Sequence, residues 1–81
     1  MVKVTATVEG MMCGMCEAHV NDAVRKAFSV KSVKSDRSRN LTEIVSEEDL
    51  DLEKVREVIT ATGYTVKDVQ AEPYKRKGIF G

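Results

Sequence analysis

Apolar and polar residues alternate at the start of the chain and then change their period. Single polar residues separate four apolar ones: Val2, Val4, Ala6 and Val8. A period of two is typical of a strand with one buried face. After Gly10 the spacing becomes helical, with side chains of one face at Cys16, Val20, Ala23 and Val24. The pattern therefore predicts a strand, a short loop, and a helix that begins near Gly14.

The middle of the chain has the pattern of a hairpin. Residues 30–35 and 41–46 predict two strands, and the residues between them are polar and typical of a turn. The register of the later strand is ambiguous, because either of two pairs can face the core: Thr42 with Ile44, or Leu41 with Val45.

A second helix and a last strand follow. Asp51 is a good N-cap candidate, and Gly63 is a plausible residue for the end of the helix. Between them runs an apolar stripe of Leu52, Val55, Val58 and Ile59. Alternation from Tyr64 to Val69 predicts the strand, with one face formed by Tyr64, Val66 and Asp68 and the other by Thr65, Lys67 and Val69.

The predicted order is βαββαβ, which is typical of the ferredoxin-like α+β arrangement. In that arrangement, two helices cover one face of a four-stranded antiparallel sheet. Residues 1–70 contain every predicted element and are expected to form the domain. Residues 71–81 lose the pattern and contain Lys75-Arg76-Lys77 before Ile79-Phe80, so we expect a basic, mobile tail.

Composition excludes some classes of function. The 81 residues include 13 basic and 13 acidic side chains, so no net field favours nucleic acid. No apolar run approaches the roughly 18 residues that a membrane-spanning helix needs, and the N-terminal residues lack the apolar centre of a signal peptide. We therefore expect a cytoplasmic chain with reduced cysteines, without a membrane span.

Charge is nevertheless unevenly distributed. Residues 25–39 hold six basic side chains and one acid, whereas residues 43–57 hold seven acids and two bases. These stretches are expected to be two solvated surfaces that partly neutralise each other. The alternative is a docking face for a partner of complementary charge.

The two cysteines lie in the segment Gly10-Met11-Met12-Cys13-Gly14-Met15-Cys16, where the strand pattern gives way to the helical one. A helix N-terminus favours the thiolate form, which binds metal or attacks a disulfide. Two thiolates suit Cu(I), whereas Zn(II) usually takes four ligands. The chain has no other cysteine and only one histidine, His19, so the donors fit Cu(I) better than a closed zinc site.

Other interpretations of the cysteine pair remain open or fail on particular residues. A thiol–disulfide protein is the alternative of a different class, although Gly14-Met15 between the cysteines contains no proline. Haem attachment requires a histidine directly after the second cysteine, where Glu17 stands. His19, about one helical turn after Cys16, could supply a further ligand and shift the preference towards Zn(II) or a metal-bridged dimer. Met12 and Met15 are expected at the loop surface and in local packing, with weak thioether support for Cu(I) as the alternative.

The segment resembles the Gly-Met-x-Cys-x-x-Cys signature of heavy-metal-associated domains, the family of small bacterial copper chaperones and of the N-terminal domains of copper-exporting P-type ATPases. The similarity extends over roughly residues 2–70. It implies that Cys13 and Cys16 are the metal ligands, with Cys13 the more exposed. Met11 would pack under the loop, and Tyr64 would lie beside the site.

The resemblance implies a metallochaperone without turnover chemistry of its own. It would transfer Cu(I) by thiolate exchange to a copper-transporting P-type ATPase or a copper-responsive regulator. A carrier of Zn, Cd or Hg that uses His19 or exogenous ligands is the first alternative. We expect a monomer, or a dimer bridged by metal.

Overall fold

The computed structural model describes residues 1–12 and 14–73. Its elements follow in the order β1 (Val2–Glu9), α1 (Gly14–Ala27), β2 (Ser32–Asp36), β3 (Leu41–Ser46), α2 (Leu52–Thr60) and β4 (Thr65–Pro73). The strands form one antiparallel sheet in the order β2-β3-β1-β4. The ferredoxin-like βαββαβ fold predicted from the sequence is thus confirmed.

The core lies between one face of the sheet and the two helices. β1 occupies a central position in the sheet, and its alternate residues Val4, Ala6 and Val8 are fully buried. The helices contribute Val20 and Val24 from α1 and Val55 and Ile59 from α2. Burial of these side chains supplies about 1.5–3 kcal/mol each before the entropy of ordering is subtracted.

The structure resolves the ambiguous register of β3 in favour of Thr42 and Ile44. These residues pair with Ala6 and Val4 of β1 and are fully buried, as is the next inward residue, Ser46. Buried hydroxyls need partners, and Thr42 Oγ1 lies 2.9 Å from Ser35 Oγ.

One hydroxyl of this pair also bonds to a side chain of α1. Ser35 Oγ donates a 2.7 Å hydrogen bond to Asn21 Oδ1, so a chain of polar side chains joins β3 through β2 to the helix. The preference for the Thr42 face therefore depends on partners from two other elements, which the local alternation does not contain.

The alternation predicted for the last strand is wrong after Val66, because the β1–β4 pairing shifts there. Val8 pairs with Val66 and Thr7 with Asp68, which leaves Lys67 as an extra residue in a bulge. Such an insertion exchanges the faces of all later residues. Val69 consequently packs against the core, whereas the sequence pattern placed it on the opposite face from Val66.

β4 also continues beyond residue 70, where the sequence pattern ended. Ala71, Glu72 and Pro73 pair with Val4, Lys3 and Val2 of β1. The three residues are exposed, so backbone pairing with β1 and not side-chain burial extends the strand. The remainder of the predicted tail, residues 74–81, lies outside the described residues.

Candidate metal site

The candidate site begins where β1 ends, at Gly10, and two features of the structure favour glycine at this position. Gly10 has φ of +106°, a conformation that side chains with a Cβ rarely adopt. A Cβ at Gly10 would also lie 3.2 Å from Cδ1 of Tyr64. The backbone conformation at the end of β1 and the close approach of the Tyr64 ring therefore both depend on the absence of a side chain at Gly10.

Two consecutive methionines after Gly10 have opposite environments. Met11 is only 5% exposed and belongs to the core cluster, whereas Met12 is 83% exposed. Met11 thus attaches the loop to the core two residues before Cys13, the first predicted ligand. The sequence-based expectation that Met11 packs beneath the loop agrees with this burial.

Of the two cysteines, the structure describes Cys16. It lies in the first turn of α1, is half-buried, and packs against the core cluster. Cys13 lies outside the described residues, so its placement beside Cys16 stays a prediction. The start of α1 at Gly14 agrees with the sequence, which placed the cysteine pair where a loop enters a helix.

The loop before β4 supplies the neighbouring side of the site. Gly63 has φ of +103°, and the half-buried ring of Tyr64 follows it. Tyr64 packs against the core and approaches Gly10. The structure thus brings together Met11 and Tyr64, which stand 53 positions apart, around the β1–α1 loop.

His19 is not buried with Met11 and Tyr64. It is an exposed residue of α1, one turn beyond Cys16. Residues three apart on a helix are neighbours on its surface. His19 is therefore near the site along the helix but is not part of its buried side.

The β2–β3 turn provides a contact that the sequence did not predict. Glu17, directly after Cys16, accepts a 2.7 Å hydrogen bond from the backbone N–H of Arg37 and a 3.4 Å one from its guanidinium. The carboxylate beside the cysteine is thus held by the turn and neutralised by a cation. No local pattern in the sequence predicts this contact, because Arg37 lies 20 residues after Glu17.

The same turn is held together by Asp36. The side-chain hydroxyl of Ser38 donates a 2.7 Å hydrogen bond to Asp36 Oδ1, and its backbone N–H donates another of 2.9 Å. These bonds, with a smaller contribution from Arg39, hold the pKa of Asp36 below its ordinary value of 3.8. Asn40, with φ of +56°, ends the turn and accepts a 2.8 Å bond from the Val8 N–H. The turn is therefore tied to the end of β1 from which the loop departs.

Among the described residues, the basic and acidic stretches meet in two ion pairs. Lys31 Nζ lies 3.0 Å from Glu47, and Arg39 Nη2 lies 3.6 Å from Glu43. These pairs agree with the predicted partial neutralisation of the two stretches. The alternative, a docking face for a charged partner, stays a hypothesis.

A surface groove of about 500 Å³ lies away from the loop. Its lining includes Phe28, Val30 and Leu50 together with acidic residues Glu47 and Glu48. Ser46, which also lines it, pairs with Val2, at the opposite end of β1 from Gly10. With eight residues in β1, the two ends are about 24 Å apart. The groove therefore does not belong to the candidate metal site.

The model of the heavy-metal-associated domain matches residues 5–65, so the chain belongs to the heavy-metal-associated domain family. The match includes the loop, α1 and the residues around Tyr64. No curated protein matches the chain.

Solved structures similar to this chain include metal-binding proteins of more than one kind. The copper chaperone Atx1 from Synechocystis PCC6803, in a trimeric form, is 28% identical over 78% of this chain and 97% of its own, with a TM-score of 0.68. The N-terminal domain of ZntA in the Zn(II) form is 24% identical over 83% of this chain and 90% of its own, with a TM-score of 0.73.

A third structure is a copper-binding domain from HMA7, a P-type ATPase. It is 22% identical over 90% of this chain and 96% of its own, with a TM-score of 0.74. The two structures below 25% identity show the shared fold alone.

In residues 1–12 and 14–73, no three side chains among His, Cys, Asp and Glu are grouped so that they could hold a metal ion. Within the same part of the chain, every helix is too short or too polar to cross a bilayer.

Proposed function

We propose that this chain carries Cu(I), bound by the thiolates of Cys13 and Cys16, and transfers it to a partner protein. The observation that carries the proposal is the family match together with the Gly-Met-x-Cys-x-x-Cys segment, whose second cysteine lies in the first turn of α1. Soft thiolates at low coordination number favour Cu(I) over hard cations. We infer a cytoplasmic protein, where thiols stay reduced.

Burial of Met11 and exposure of its neighbours support distinct roles in the loop. Met11 is directed into the core, so it holds the loop in place and does not act as a ligand. Met12 and Met15 are more than 80% exposed, which leaves the surface around the cysteines open to an approaching partner. Tyr64, beside Gly10, covers one side of the site.

The transfer step is ligand exchange without oxidation or reduction. A partner thiolate binds the ion while one of the two cysteine thiolates dissociates, and a second exchange completes the transfer. The ion keeps its charge throughout, and the total number of thiolates is conserved. The recipient we propose is a copper-transporting P-type ATPase or a copper-responsive regulator, and the chain is not an enzyme in this proposal.

A second candidate function is transport of Zn(II) or another heavy metal. The observation in its favour is the position of His19, which lies one turn beyond Cys16 on α1 and is exposed to solvent. An imidazole is a common Zn(II) ligand. His19 with the two cysteines, or with a second copy of the chain, would then complete the shell.

The test is a competition titration of reduced protein against a Cu(I) chelator and, separately, against a Zn(II) chelator. The carrier proposal expects one Cu(I) per monomer, at an affinity that His19→Ala leaves unchanged and that far exceeds the Zn(II) affinity. Comparable Zn(II) affinity that collapses in His19→Ala would favour the three-ligand site. Weak binding of both ions would refute metal transport.

The redox alternative is tested with Cys16→Ser. The metal-carrier proposal expects loss of tight Cu(I) binding in this variant. A thiol–disulfide protein would instead accumulate a mixed disulfide between Cys13 and a protein substrate, which is visible as a reducible band of higher mass.

A further inference from the structure

The outer surface of α1 carries a methionine and the single histidine of the chain at adjacent positions. Met15 and His19 are both exposed and are four residues apart in one continuous helix. At this spacing, Cβ atoms are about 5–6 Å apart and side chains point along the same face. The thioether sulfur and the imidazole are therefore within reach of one another.

Packing does not account for Met15. Its side chain is 82% exposed, and Met12 on the preceding loop is 83% exposed. Both side chains therefore lie at the surface, as predicted, but with this exposure neither has the local packing that was predicted with it. Burial of a methionine supplies about 1.5–3 kcal/mol, so Met15 contributes almost none of that stabilisation.

The chemistry of the pair favours one class of ligand. A thioether is a soft donor, and imidazole binds most late transition metals. Neither has a negative charge, so the pair suits a monovalent soft cation such as Cu(I) or Ag(I) and offers little to Mg²⁺ or Ca²⁺. Asp22, exposed and three residues after His19, is a neighbour of His19 on this helix face.

The pair lies next to the candidate site but differs from it in burial. Cys16 directly follows Met15, yet it is half-buried and packs against the core. An ion held by Met15 and His19 would thus lie on the outer surface of the helix, within one turn of the Cys16 thiolate.

We propose that Met15 and His19 form a second, weaker soft-metal site on α1, which holds Cu(I) before it reaches Cys13 and Cys16. This inference rests on the proposed function. On transfer, the neutral thioether and imidazole dissociate as the two thiolates bind, and no electron moves. A cysteine that is still a thiol loses its proton to water.

The test removes the thiolates and keeps the helix face. The full chain with Cys13→Ser and Cys16→Ala is titrated with Ag(I), which has the same charge and d¹⁰ configuration as Cu(I). The imidazole signals of His19 are followed by NMR, and the signals belong to one residue because the chain has one histidine. Alanine at position 16 avoids a polar side chain against the core, and the backbone amide spectrum verifies the fold.

The expected result is saturable binding of one Ag(I) per chain, with a shift of the His19 signals. Met15→Leu, which keeps the size of the side chain and removes the sulfur, should weaken this binding at least tenfold. His19→Ala should weaken it as much, and because that variant has no histidine, its binding is followed by the backbone amide signals of α1. Met12→Leu is the matched control, because it removes an equally exposed sulfur from the loop, and it should change the affinity less than twofold.

Three results would overturn the inference: no Ag(I) binding by the double variant, binding unaffected by Met15→Leu, or a loss in Met12→Leu equal to that in Met15→Leu. The proposed function is judged separately on the unmodified chain. Tight Cu(I) binding by that chain, together with no Ag(I) binding by the double variant, would refute the second site alone. Weak Cu(I) binding by the unmodified chain would refute the carrier itself.

Discussion

At the scale of single residues, the two glycines that flank Cys13 have different roles. Gly10 has a positive φ and would place a Cβ 3.2 Å from Tyr64, whereas a Cβ at Gly14 would meet nothing within 4 Å. We expect Gly10→Ala to lower the free energy of unfolding by about 1–3 kcal/mol, the usual cost of a strained backbone conformation. Gly14→Ala should be neutral or stabilising by less than about 1 kcal/mol. Urea unfolding of both variants measures the difference.

Equal losses in the two variants would contradict this account of Gly10. The comparison is well controlled because both substitutions add the same methyl group within a few residues of the cysteines. A difference between them therefore reports the backbone conformation and the Tyr64 contact, and not a general sensitivity of the loop.

Asp36 gives a residue-scale prediction for pH. Its pKa is lowered in the folded chain, first by the Ser38 hydroxyl and then by backbone N–H groups and Arg39. The ionised carboxylate therefore stabilises the fold fully above its ordinary pKa of 3.8, and this contribution is lost as the pH falls through the lowered pKa. The stability difference between the unmodified chain and Asp36→Asn should be constant near neutral pH and shrink below 3.8.

Unfolding by urea at a series of pH values measures that difference. Ser38→Ala removes the largest cause of the lowered pKa of Asp36, so it should reduce the pH-dependent part of the stability difference. Arg39 and the backbone N–H groups still lower the pKa in this variant, so some pH dependence should remain. A difference that grows as the pH falls below 3.8 would show that the pKa of Asp36 is raised, and not lowered, in the folded chain.

At the scale of helices and strands, α2 is the element that local sequence specifies best. Asp51 accepts hydrogen bonds from the backbone N–H of Glu53 at 3.0 Å and of Lys54 at 3.4 Å, as expected of an N-cap. Asp51→Ala should cost about 0.5–2 kcal/mol. Asp49→Ala removes the same charge two residues earlier and should cost less than about 0.5 kcal/mol. Thermal unfolding of the pair measures the cap, and equal losses would mean that the charge alone matters.

The sheet shows where local sequence is insufficient. The bounds of β3 and the start of α1 follow from the period of apolar residues. The register of β3 does not, because Thr42 and Ser46 are polar residues that face the core. Thr42 needs Ser35 from another strand, and that partner is invisible in a pattern confined to β3.

The bulge in β4 could not be predicted from the sequence, for a related reason. An extra residue at Lys67 is determined by pairing with β1, and nothing in the alternation of β4 itself signals it. The contact between Glu17 and Arg37 is another case, because it joins α1 to a turn 20 residues away. In each case the missing information is tertiary.

At the scale of the whole molecule, the candidate site lies at one end of the central strand. β1 carries three fully buried residues and leads directly into the loop through Gly10, Met11 and Met12. The loop is therefore supported by the same residues that form the core. The sequence motif and its family resemblance predicted the cysteine pair and a position for Tyr64 beside it. The contact of Glu17 with the β2–β3 turn was not predicted, because it forms only in the assembled fold.

A metal ion bound at this end of β1 should therefore stabilise the whole chain. A ligand that binds the folded state alone adds RT ln(1 + [L]/Kd), or about 2.7 kcal/mol at a free concentration of 100 Kd. In a domain of this size each kcal/mol shifts the Tm by about 4–8 °C. Buffered Cu(I) at that excess should therefore raise the Tm of the reduced chain by about 10 °C or more. Cys16→Ser should lose most of this shift, and an equal shift in both proteins would place the bound ion away from the cysteines.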